Sequence, residues 1–141
     1  MTSSDINSIF LQGEDSLTEF KREDVHNESL AKVAVAFSNF EGGDIWVGVE
    51  DDGSISGVSQ PKLEEKIVQI CRNYISPSIL PKIRSHTIEG KKVLQVTIEK
   101  GSSKPYKTQG KYYIRAGSLS VEPTNEELVR LFQEGELFHF E

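Results

Sequence analysis

The sequence predicts a single α+β domain, a mixed sheet flanked by about three helices. Three observations predict it. Leu30, Val33, Ala34, Phe37 and Phe40 recur at helical spacing with mostly small residues between them, the mark of a largely buried helix. Several short stretches alternate apolar and polar residues with a period of two, as half-buried strands do. The chain has 141 residues, 36% of them hydrophobic and 27% charged, which suits one ordinary globular core. No repeat, low-complexity run or linker divides it.

Taken in order, residues 1–13 form an N-terminal extension. Ile6, Ile9, Phe10 and Leu11 give it the spacing of a short amphipathic helix that docks on the body or on a partner. Residues 14–134 are the body. Leu17–Lys21 reads as a strand that turns Glu19 and Lys21 to one face and Phe20 to the core. Asn27, in the polar loop that follows, is placed to cap the buried helix. Gly42-Gly43 ends that helix, because glycine tolerates the left-handed backbone that a helix C-terminus needs.

Asp44–Val49 then alternates, with Ile45, Val47 and Val49 on one side and Asp44, Trp46 and Gly48 on the other. Glu50-Asp51-Asp52-Gly53 is the turn into a second short strand, Ser54–Val58. Pro61 suits the first turn of a second helix, whose stripe is Leu63, Ile67, Ile70, Cys71 and Tyr74. Ile75-Ser76-Pro77 stops it. Lys82–Ile88 and Lys92–Ile98 make a hairpin around Glu89-Gly90-Lys91. After a loop, Lys111–Arg115 is a strand closed by Ala116-Gly117-Ser118. Thr124 and Glu127 form a capping box that starts a last helix carrying Leu128, Leu131 and Phe132. Residues 135–141 are an apolar tail with Leu137, Phe138 and Phe140.

Composition narrows the function. With 22 acidic and 16 basic residues the formal charge is −6, which weighs against nonspecific electrostatic binding of nucleic acid. It leaves room for a local basic face, or for carboxylates that hold a metal ion. One cysteine excludes an internal disulfide and a zinc site built on several thiolates, and Cys71 reads as a small core residue. No window spans a membrane and no secretory pattern opens the chain, so a cytoplasmic, intracellular protein without a membrane partner is expected.

Two groups of side chains carry possible chemistry. Glu14 and Glu19 flank or occupy the first strand, and Glu50, Asp51 and Asp52 follow the next. If the strands are neighbours, such carboxylates can converge on a hard cation, Mg²⁺ or Mn²⁺, with Lys21 beside it. Spacing alone favours the plainer reading of a polar hairpin turn. Lys104, Lys107, Lys111 and Arg115 lie near Tyr106, Tyr112 and Tyr113, a mixture that can hold phosphates and stack bases. The plainer alternative is a solvated strand whose tyrosines face the core. Gly42-Gly43 lacks the Gly-Lys-Ser/Thr of a phosphate loop, and His26, His86 and His139 have no ligand spacing.

In order along the chain stand Glu14-x4-Glu19-Phe20-Lys21, Ala36-Phe37-Ser38-Asn39, Gly42-Gly43, Trp46-Val47-Gly48-Val49-x-Asp51-Asp52-Gly53, Pro105-Tyr106 and Tyr113-Ile114-Arg115-x-Gly117-Ser118. This series resembles the Schlafen AlbA_2 family from about Glu14 to Phe132. Ser38-Asn39-Phe40 departs from the usual Ala-Asn-Thr, a change that concerns packing. The resemblance implies an α+β fold and a role on nucleic acid, RNA before DNA. In its Schlafen branch two glutamates and an aspartate form a metal-dependent endoribonuclease site for structured RNA such as transfer RNA. Those acids fall on Glu14, Glu19 and Asp51, with Lys21 beside them and Mg²⁺ or Mn²⁺ as cofactor. The alternative is a binding module without catalysis, for nucleic acid or for protein. Schlafen cores embrace a duplex with two related lobes and this chain resembles one, so a homodimer is expected. The apolar ends Ile9-Phe10-Leu11 and Leu137-Phe138-Phe140 would supply its surface. Light scattering at about 50 µM should report the mass of two chains, and a monomer there would count against the dimer.

Overall fold

The structure, a computed structural model, describes residues 1–139, with side chains described through residue 135. In chain order the elements are α1 (Ser3–Gln12), β1 (Thr18–Lys21), α2 (Asn27–Ser38), β2 (Gly43–Val47), α3 (Leu63–Asn73), β3 (Ile75–Ser76), β4 (Lys82–Ile88), β5 (Lys91–Ile98), β6 (Lys107–Thr108), β7 (Lys111–Tyr112), β8 (Ile114–Ala116), β9 (Leu119–Val121) and α4 (Asn125–His139). The central sheet has the order β1-β2-β5-β4. β1 and β2 run parallel through the α2 crossover, with Glu19 opposite Ile45 and Phe20 opposite Trp46. The other neighbours are antiparallel. The fold is α+β, as the sequence predicts.

The two faces of this sheet are covered separately. Ile45, Val47, Leu94, Val96 and Ile98 pack under α2 and α3 in the larger core, with Phe37 and Ile67. Phe20, Trp46, Ile88 and Val93 form a second core, closed by Ile6 and Phe10 of α1. Burying those two side chains holds α1 down by about 2 kcal/mol apiece. Phe10 meets Phe20 and Trp46 edge to face, at centroid distances of 5.6 Å and 5.2 Å. Thr2 and Asp5 cap the start of α1 reciprocally. Phe10 of the apolar N-terminal end is thus spent on the chain's own core, while Leu11, 88% exposed, and the half-buried Ile9 are left from it for a shared dimer surface. Of the C-terminal set, Leu137 and Phe138 continue α4, but their side chains and Phe140 lie outside the described residues.

The remaining strands fold over α2. Asn39, buried after the helix end, donates its amide to the Tyr106 and Tyr113 carbonyls and accepts from the Tyr106 N–H. This interaction splits the strand expected over Lys111–Arg115. With its carbonyl taken by Asn39, Tyr113 interrupts the ladder, leaving β7 in a sheet with β3 and β6 and β8 in a hairpin with β9. Thr124 and Glu127 form the expected capping box of α4. Gly135 of that helix lies against the Lys104 carbonyl, where an added Cβ would collide.

Several local expectations are corrected. Asn27 does not cap α2. The cap position is His26 without a side-chain bond, and the Asn27 amide donates to the Tyr74 hydroxyl at 3.1 Å. Pro61 lies outside the first turn of α3, which starts at Leu63 after the cap position Lys62. Ser54–Val58 is not a strand, and its one ladder contact is a bridge between Val49 and Ile55. Gly48 explains this and one more difference. Its φ of +100° breaks the alternation after Val47, and its carbonyl accepts from both Ser56 and Gly57. Val49 therefore turns into the second core with Trp46, away from Ile45 and Val47. A Cβ on Gly48 would stand 3.0 Å from Val58 Cγ2 and 3.1 Å from the Gly57 carbonyl carbon. Gly48→Ala should cost about 1–3 kcal/mol, read as a lower denaturant midpoint with an unchanged slope.

Candidate functional site

β1 ends beside the turn that leaves β2, because the two strands are parallel neighbours. That pairing brings Glu14, Glu19, Lys21 and the Asp51 turn to one edge of the sheet. Glu19 is the inward member, with its side chain 10% exposed. Its Oε1 accepts from Arg115 Nη1 at 2.8 Å, and Lys21 Nζ lies 3.5 Å from its Oε2. Lys21 is the accessible cation of the set, at 26% exposure.

Glu14 stands in front of this pair. Its Oε2 accepts weakly from the Phe20 N–H at 3.3 Å, and its carboxyl is hydrogen-bonded to Glu19. Burial pushes the Glu14 carboxyl up to about 7, reinforced by the hydrogen bond and negative charge of Glu19. The Phe20 N–H opposes that shift, and the charge of Asp51 adds the least to it. Glu14 consequently exchanges its proton near neutral pH. Asp51 is exposed in its turn. A carboxyl poised near 7 against Glu19, itself 3.5 Å from a partly open lysine, can take up and return a proton at neutral pH.

Arg115 comes from β8, 96 residues after Glu19. Its side chain is fully buried; Nη1 also donates to Ser120 Oγ at 3.0 Å and Nη2 to the Asp15 carbonyl at 2.7 Å. The guanidinium carbon lies 4.6 Å from the Phe37 ring centre. The residue expected on a basic surface is therefore a bolt between the β8–β9 hairpin and the start of β1. Lys104 is likewise not free: its side chain is 3% exposed and pairs with Glu134 at 2.6 Å. Lys107 and Lys111 are exposed, on β6 and β7, but their register puts them on opposite faces of that ribbon. The four cations are not one surface. Tyr106 is buried, and Lys32 stands 5.2 Å over the Tyr113 ring.

The donor chemistry of Glu14, Glu19 and Asp51 suits Mg²⁺ or Mn²⁺, but the arrangement does not. Among the described residues no three His, Cys, Asp or Glu side chains gather as a metal cage, and both oxygens of Glu19 face cations. Cys71 is excluded from the chemistry, since burial pushes its thiol up to about 12.

Sequence reasoning found the acids and missed their partner. The only signal for Arg115 in its new role is a cation inside an otherwise β-forming run, Tyr112-Tyr113-Ile114-Arg115. The pairing predicts opposite behaviour for the two glutamates. Glu19→Gln strands a buried guanidinium and should cost about 3 kcal/mol. Glu14→Gln removes a like charge. With its carboxyl raised in the fold, Glu14 favours the folded state at low pH, and that contribution is lost as pH rises from about 4.5 to about 7. Glu14→Gln should flatten this slope and stabilise by about 1 kcal/mol at pH 8, less than the full shift implies because the group is half open to solvent. Urea titrations at pH 5 and pH 8 check both variants.

The sequence matches the family described as Schlafen, AlbA_2 over residues 14–124. No curated protein matches it. Two of the solved structures that share the fold are informative. One is the N-terminal domain of a protein related to the ATP-dependent DNA helicase RecG from Nitrosomonas europaea, with 18% identity and a TM-score of 0.67, covering 89% of this chain and 92% of that one. The other is the DIP2311 protein of Corynebacterium diphtheriae, with 19% identity and a TM-score of 0.66 over 84% of this chain. This chain spans 24% of the length of that protein.

Proposed function

The chain belongs to the Schlafen AlbA_2 family, and from that premise we propose that it acts on nucleic acid, structured RNA before DNA, at the edge formed by Glu14, Glu19, Lys21 and Asp51. The observation that carries the reading is the Glu14–Glu19 pair, with Glu14 raised to about 7 and Lys21 next to it. In this reading the ionised form of Glu14 takes the proton of the attacking hydroxyl or water, and Glu19 holds Glu14 and Lys21 in place. The bond from phosphorus to the leaving oxygen breaks as the new one forms, and the leaving oxygen takes a proton from water. Lys21 offsets the charge that builds on the phosphate. The helicase-related relative supports the nucleic-acid class and says nothing of cleavage.

The second reading is a binding module without catalysis, and one observation favours it. The negative charge of Glu19 is already met inside the protein by Arg115 and Lys21, as a structural ion pair would be. A homodimer, if it forms, would rest on surfaces other than the buried face of α1.

One assay separates the readings: a transfer-RNA-like hairpin and its DNA counterpart, incubated with Mg²⁺, Mn²⁺ or chelator. The wild type should cut the RNA hairpin. Glu14→Gln should lower the rate by about 10²–10⁴ while affinity by fluorescence anisotropy stays within about twofold. Binding without cutting leaves the module, and neither binding nor cutting removes the nucleic-acid reading altogether.

A further inference from the structure

Arg115 meets four oxygen acceptors from two separate places in the chain: Glu19 Oε1 at 2.8 Å, the Asp15 carbonyl at 2.7 Å and the Thr18 carbonyl at 3.5 Å, in and just ahead of β1, and Ser120 Oγ at 3.0 Å from its own hairpin. Its side chain has no exposed surface, and the Phe37 ring backs the guanidinium at 4.6 Å. An arginine does not lose its proton in a protein, so this charge is permanent. It cannot swing aside without leaving the nearly buried Glu19 carboxylate without its closest cation. The other oxygen of Glu19 faces Lys21 Nζ at 3.5 Å. A divalent ion at Glu19 would stand against one fixed cation and beside a second.

We propose that Arg115, with Lys21, is the resident cation of the acid site and stands at Glu19 where the resemblance places Mg²⁺ or Mn²⁺. Arg115 is a positioning residue, since it touches Glu19 and the strand carbonyls and is closed to any substrate. Lys21, partly open, is the cation left to face an anion. The site then carries its own positive charge, and divalent ions are not part of its resting state. This inference does not depend on the nucleic-acid reading, because it concerns ion binding by the protein alone.

The experiment is a Mn²⁺ titration of the full chain without nucleic acid, followed by paramagnetic broadening of backbone amide signals and by calorimetry. The wild type should show no broadening centred on Glu14, Glu19 and Asp51 at micromolar Mn²⁺. Arg115→Met, which frees the Glu19 carboxylate, should bind Mn²⁺ at that place at least tenfold more tightly. Lys21→Met, altering a partly open side chain, should fold normally and gain affinity by a smaller factor, which keeps the test decisive should Arg115→Met not fold. Micromolar Mn²⁺ binding by the wild type that Glu14→Gln abolishes would overturn the proposal. So would a folded Arg115→Met, or a Lys21→Met, with unchanged affinity.

Discussion

The ion pair between Arg115 and Glu19 is the interaction on which the rest of this structure depends. It is buried at one end and nearly so at the other, and a pair of that kind is costly to form. Its geometry offsets the cost. The guanidinium also donates to a backbone carbonyl ahead of β1 and to a serine of its own hairpin, so both terminal nitrogens of the desolvated charge meet acceptors, while Nε is left without one. A two-stranded hairpin has little stability of its own. The pair, with the Asn39 amide bridge nearby, fastens the late strands to α2 and to the edge strand of the main sheet.

The same interaction sets the chemistry of the acids. Two carboxyl groups in hydrogen-bond contact do not both ionise readily, and which one keeps the proton depends on where the cations stand. Here both cations face Glu19, and the carboxyl that burial and its neighbour push up is Glu14. A site that looks from its composition like a nest of negative charge is closer to neutral in the fold. The formal charge of −6 therefore describes the whole surface and says little about this edge.

Much of the fold was legible because its signals are local. The period of α2, the alternation of β1, β2 and β5 and the capping box of α4 each lie within about a dozen residues, and each is where the pattern placed it. The hairpin of β4 and β5 turns at Glu89-Gly90, both at positive φ, as its two-residue loop demands. What was not legible depends on distant partners or single backbone angles. Nothing near Tyr113 signals that Asn39 will take its carbonyl, 74 residues earlier. Nothing near Val49 shows that Gly48 adopts the one conformation that reverses the strand's faces. The candidate site divides the same way. Its acids were visible as a motif, whereas the burial of Lys104 and Arg115 follows from partners elsewhere in the chain.

The docking of α1 has a consequence of its own. The family match begins at residue 14, yet the lid over the second core is supplied by residues before it. That lid rests edge-on against Trp46, the only tryptophan in the chain, which is wholly buried beneath it. The indole is thus an intrinsic optical probe of a single event, the seating of the first helix. Its emission colour distinguishes a covered second core from a wet one.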